Sequence, residues 1–178
     1  MKKKFKAYRL LLPLAFCFMA HSMLAQSIND LDFLIGEWEV HETIYPGTEK
    51  EYTESGIRTC SYYLNKKFIK CDARTSVSKN GKERWYAYII NYHAEAGYFI
   101  ATNFAHDFPL HGQHHWYMDK ENKQLIAITP ENVIRDRFFR GTISFANPNR
   151  IEWNGYASVY KESKDWKHIF QDVATRKR

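Results

Sequence analysis

From residue 37 onward the chain divides into ten short runs rich in Val, Ile, Thr, Tyr, Phe and Trp, each ended by a cluster of turn residues. The runs cover 37–45, 51–64, 67–78, 83–92, 97–104, 113–119, 124–129, 133–145, 150–160 and 165–176. Strands this short, following one another with tight turns and no helix between them, pair most simply with their neighbours in sequence. They predict an all-β fold, an up-and-down antiparallel barrel of about ten strands. A short helix is expected just before it, in "SINDLDFLIG".

Several turns carry their own mechanism. "LNKKF" puts Asn65 and Lys66 between two β-rich runs, and Asn tolerates the left-handed backbone that a two-residue hairpin needs. "SKNGKE" holds Asn80-Gly81, a strong hairpin signal, and "DKENKQ" and "NPNR" are polar turns of the same kind. With Asn65 and Lys66 as the loop, each step outward pairs the flanking strands residue by residue and sets Cys60 opposite Cys71. A cross-strand disulfide and a pair of buried thiols both fit that register, and a one-residue slip would separate the two. No CxxC motif is present.

Residues 1–25 read as a secretory signal peptide: basic at Lys2, Lys3, Lys4, Lys6 and Arg9, apolar from Leu10 to Ala20, and closing on Ala25. The apolar run is too short for a membrane span. A lipoprotein signal acylated at Cys17 of "LAFC" is the alternative, although Phe16 is bulky where a small residue belongs. The expected product is an exported chain, periplasmic or secreted, of residues 26–178. Those five basic residues account for most of the formal charge of +6. Without them the charge is +1, the signs are interspersed, and no basic patch marks a nucleic-acid partner. About 150 residues make one domain with a single core, and no membrane span is expected in it.

"DLDFLIGEWEV", residues 30–40, resembles the opening of lipocalin-like barrels, where a short helix leads into a first strand bearing Gly-x-Trp, here Gly36 and Trp38. The "LNKKFI" hairpin, the "YIINYHAEAGYFIATNF" strand pair and a last strand ending in Arg extend the likeness over residues 28–178, to a bacterial family of secreted lipocalin-like domains within the calycin and nitrobindin-like barrels. The resemblance implies a barrel for a small apolar ligand, with Trp38 at its closed end under the guanidinium of Arg176. Nitrobindin-like barrels hold haem through a histidine near the C-terminus, which would implicate His168 here. Fold alone does not transfer either activity.

Period-two alternation sorts candidate interior residues. Ile151, Trp153, Gly155 and Ala157 share one face of their run; the small residues beside large ones either leave room for a ligand or fit a tapering core. Arg137 or Arg140, depending on register, is the candidate interior cation, suited to a ligand carboxylate. His168, Phe170, Asp172 and Arg176 share a face of the last run by alternation. The expected ligand-binding set is therefore Arg137, Arg140, Trp153 and His168.

"NFAHDFPLHGQHHWY", residues 103–117, is rich in histidine and is expected to be mainly a polar loop at the barrel mouth. Its alternative is a divalent-metal site of His106, His111 and His114; His114 and His115, as strand neighbours, point to opposite faces. The spacing matches no zinc signature and no HExxH is present. No cofactor is implied outright; haem and a divalent metal are the alternatives. The sequence holds no nucleophile elbow and no phosphate-cradling loop. His106, Asp107 and Glu37 have the right chemistry for acid–base work, but nothing in their spacing requires it. A further alternative is an interaction module that uses exposed Tyr and Trp.

Overall fold

The structure is a computed structural model that describes residues 26–75, 83–106, 108–130 and 137–178, without the side chains of residues 108–111. A 3₁₀ helix, Ile28–Leu34, precedes ten strands: β1 Gly36–Ile44, β2 Tyr52–Tyr63, β3 Phe68–Thr75, β4 Arg84–His93, β5 Tyr98–Ala105, β6 Phe108–Asp119, β7 Gln124–Ile128, β8 Phe138–Asn147, β9 Arg150–Ser158 and β10 Lys167–Arg176. Every strand pairs antiparallel with its neighbours in sequence, and β1 pairs with β10 to close the barrel. Among the described residues no sheet edge is left unpaired for another chain to extend.

The expected runs and the observed strands agree closely, and their differences have local causes. β6 starts at Phe108, five residues earlier than expected, so most of the histidine-rich segment is strand and not loop. Within it Gly112, His114 and Trp116 are buried, alternating with Gln113, His115 and Tyr117. β8 begins at Phe138; residues 131–136, and the Asn80-Gly81 turn, lie outside the described residues. Cys60 and Cys71 occupy facing positions and are joined by a disulfide. The turn that sets this register is closed by the Lys67 N–H donating to the Leu64 carbonyl at 3.0 Å, with the expected pair Asn65 and Lys66 between them and positive φ at Leu64, Asn65 and Lys66.

The helix plugs the end of the barrel that carries the β2–β3, β4–β5, β6–β7 and β8–β9 turns. Leu31 and Leu34 are buried there, and Phe33 stacks on Phe145 at 4.1 Å. Trp38, 1% exposed, donates its indole N–H to the Leu34 carbonyl at 2.8 Å. Arg176, its partner across the β1–β10 seam, lays its guanidinium over the indole at 4.2 Å. The same guanidinium donates to the carbonyls of Ile35 at 2.7 Å and Phe33 at 3.0 Å, which would otherwise be left open at the helix end. One side chain thus ties the helix, the first strand and the last.

Gly36 makes this arrangement possible. Its φ is +131, and a Cβ there would lie 2.5 Å from Arg176 Nη1. Gly36→Ala is expected to strain the backbone and dislodge the guanidinium, lowering stability by about 2–3 kcal/mol. Urea unfolding of the variant checks this; an unchanged midpoint would show that the seam does not depend on the contact.

Candidate functional site

Above the plug the interior is packed by Ile69, Ile90, Phe99, Leu125 and Ile143, all nearly inaccessible to solvent. Trp153 ends this filled half. Its ring meets Trp116 at 5.8 Å, Tyr88 at 5.5 Å and Phe170 at 5.3 Å, an aromatic layer across the barrel. Beyond it, toward the mouth, is a chamber of about 590 Å³, within the range of small-molecule sites. Phe138, Phe139, Ile169 and Phe170 line one part of it, and Glu42, Arg84, Tyr86 and Tyr88 another.

The charged part follows from strand register. Glu42 on β1 faces Glu54 on β2 and Asp172 on β10, so three carboxylates stand side by side across three strands, all pointing inward. Like charges directly opposite one another in a sheet repel. Two guanidiniums compensate: Arg84 of β4 reaches both Glu42 and Glu54, the latter at 2.8 Å, and Arg58 of β2 bonds Asp172 Oδ2 at 2.8 Å. Asp172 Oδ1 has no partner.

Electrostatics follow from this burial. Glu42 is held up to about 7, chiefly by burial and then by Asp172 and Glu54, with Arg84 acting against them. Burial likewise raises Asp172 above the usual carboxylate range against the pull of Arg58. Burial also pushes the Tyr86 and Tyr88 hydroxyls upward, so both remain neutral donors at ordinary pH. Across the chamber His114 is pushed down to about 4 by burial and then by His115, which leaves a neutral imidazole stacked on Phe139 at 4.6 Å. Its Nδ1, the Asn103 Oδ1 and the Trp153 Nε1 are buried without partners on this wall.

The sequence-derived residues are placed unequally. Trp153 lines the chamber, and Arg137 stands exposed at its rim. Arg140 is not interior: it is exposed on the outer face, with its guanidinium 4.5 Å from the Trp166 ring and 5.9 Å from that of Tyr156. His168 does not share a face with Asp172, because a bulge between His168 and Phe170 shifts the register. It stacks instead on Tyr156 at 4.7 Å, between the inward positions Gly155 and Ala157. Haem ligation through His168 would need an inward imidazole, which this register does not provide.

Of the proposed metal set, His106 is exposed and its Nδ1 accepts the Trp85 backbone N–H at 2.9 Å, while His114 points into the chamber. The His111 side chain lies outside the described residues. Among the described residues no three His, Cys, Asp or Glu side chains are arranged to hold a metal ion.

Arg58, Arg84, Glu42 and Glu54 were not anticipated. A signal for two of them was present: with Cys60 facing inward, period two also turns Arg58 and Glu54 inward.

Comparison with known proteins extends the fold only. The barrel matches Rv2717c from M. tuberculosis with a TM-score of 0.61 at 9% identity, covering 85% of this chain and 97% of that one. It matches the S-type phycobiliprotein lyase CPES from Guillardia theta with a TM-score of 0.56 at 11% identity, covering 86% and 94%. No protein-family model matches the sequence, and the comparison with curated proteins finds no match.

The raised Glu42 fixes a pH dependence. The folded state holds this proton more tightly than the unfolded chain does. The associated stability is full below the ordinary carboxylate range and is lost as pH rises through about 7. Glu42→Gln keeps the shape, leaves Glu54 on Arg84 and removes the charge. It is expected to stabilise the protein by about 1–3 kcal/mol near pH 8 and to change little near pH 5. Chemical denaturation at both pH values checks this; equal destabilisation at both would contradict it.

Proposed function

We propose that this chain is an exported lipocalin-like barrel that binds a small, largely apolar molecule non-covalently in the chamber above Trp153. The observation that carries the reading is the chamber itself: about 590 Å³, walled by aromatic rings and holding a few buried polar atoms without protein partners. Aromatic walls with convergent polar groups are how proteins hold and orient small molecules. Buried polar atoms left unpaired are costly, and a bound molecule or ordered water relieves that cost. Export accords with the Cys60–Cys71 disulfide, a bond characteristic of oxidising compartments. Among the described residues no helix is long and apolar enough to cross a membrane.

The test is titration with an uncharged arylnaphthylamine, whose fluorescence rises in apolar surroundings, on the native protein and on Ala157→Phe. Ala157 lines the chamber, so the added ring is expected to weaken binding by about tenfold, or 1.4 kcal/mol. Circular dichroism of the variant confirms that the fold persists. Equal binding by both proteins would place the probe outside the chamber and remove the support for this reading.

A further inference from the structure

We propose that the molecule held in the chamber carries a protonated amine on an apolar body, and that Glu42, with Glu54 and Asp172 beside it in the ladder, receives the amine. This rests on the small-molecule reading above and names the chemical class that the chamber selects.

The first argument is charge balance. Three carboxylates from β1, β2 and β10 face inward at one level, against the two interior guanidiniums of Arg58 and Arg84. With all five ionised, the cluster is one positive charge short. Both arginines are already engaged, so neither is free to bind a ligand carboxylate, which would also meet three like charges. Among the described residues Arg137 is the remaining Arg or Lys lining the chamber; it is exposed at the rim, where solvent screens it.

The second argument is independent of the first and comes from unmet hydrogen bonds. Asp172, 3% exposed, spends Oδ2 on Arg58 and leaves Oδ1 without a donor. Asp172 does not itself line the chamber, but its ladder partners Glu42 and Trp153 do. On the far wall Asn103 Oδ1 is a buried acceptor without a donor, and His114, 7% exposed, has an unpartnered Nδ1. An ammonium group has three donors and no acceptor, which complements walls of this kind. The aromatic layer adds to the selection, because the ring faces of Tyr88, Phe139 and Trp153 attract a desolvated cation.

Binding should also follow pH. The groups that face Glu42 are Arg84 from β4, Glu54 and Tyr52 from β2, Asp172 from β10 with its partner Arg58, and the hydroxyls of Tyr86 and Tyr88. An ammonium ion brought among them favours the ionised carboxylate. The proton that Glu42 holds near neutrality therefore leaves on binding, and amine affinity rises as pH increases through about 7.

The test is calorimetric titration of the whole protein with decylamine, decanol and decanoate, near pH 8 and near pH 6, with the arylnaphthylamine as neutral control. The expected order is amine, alcohol, carboxylate, with the amine ahead of the carboxylate by about tenfold or more near pH 8 and by less near pH 6. In Glu42→Gln the amine-to-alcohol affinity ratio is expected to fall by about tenfold. Alcohol or carboxylate binding as tightly as the amine overturns the amine inference and leaves the small-molecule reading standing. Failure of all three compounds and of the neutral control overturns both.

Discussion

The structure depends on the closing of one seam, where β1 pairs with β10 from Trp38 opposite Arg176 to Ile44 opposite Phe170. Short strands with alternating faces do not hold together one at a time. Closing the sheet gives every strand two neighbours and gives the apolar faces one shared interior. At the bottom of the seam the Arg176 guanidinium covers Trp38 and takes up two carbonyls of the helical plug, while the Asp30 and Asp32 side chains reach Lys120 on the β6–β7 turn and Tyr62 at the end of β2. That end is therefore fastened and filled but for a small cavity of about 20 Å³ beside Leu34, Cys60 and Trp153, and the larger chamber lies at the other end.

The charged cluster beside the chamber follows a different rule. Glu42, Glu54, Asp172, Arg58 and Arg84 occupy inward positions that a purely structural core would fill with aliphatic residues. Replacing a buried ion cluster of this kind by well-packed apolar side chains is often neutral or stabilising, so the cluster is not explained as reinforcement of the fold. Its arrangement is asymmetric as well: Arg84 serves two carboxylates, Arg58 serves one, and an oxygen of Asp172 is left over. A polar network that is incompletely satisfied is expensive in isolation and useful where a ligand completes it.

Much of the fold was legible in the sequence because strand runs and turns are local signals. The Asn65 turn carried enough information to pair Cys60 with Cys71 across two strands, and Gly36, Trp38 and Arg176 stood out through the resemblance of the first and last strands to those of lipocalin-like barrels. The site was less legible, for three physical reasons. Charged residues in an alternating strand are ordinarily turned to solvent, so Glu42, Glu54 and Arg84 resembled surface positions until their registers were known. A single bulge near His168 reversed the face of that residue relative to Asp172, which period-two reasoning does not foresee. The histidine-rich stretch resembled a loop because His, Gly and Gln weaken a strand pattern, yet pairing with β5 holds it in the sheet and turns His114 inward.

The central claim, that the half of the barrel above Trp153 is a ligand chamber, is tested most directly by native mass spectrometry of the protein purified without denaturation from the cells that make it. The account predicts a non-covalent adduct of small-molecule mass that is lost when the same sample is denatured. A bare-chain mass under native conditions, unchanged when apolar amines, alcohols and acids are added, would contradict it.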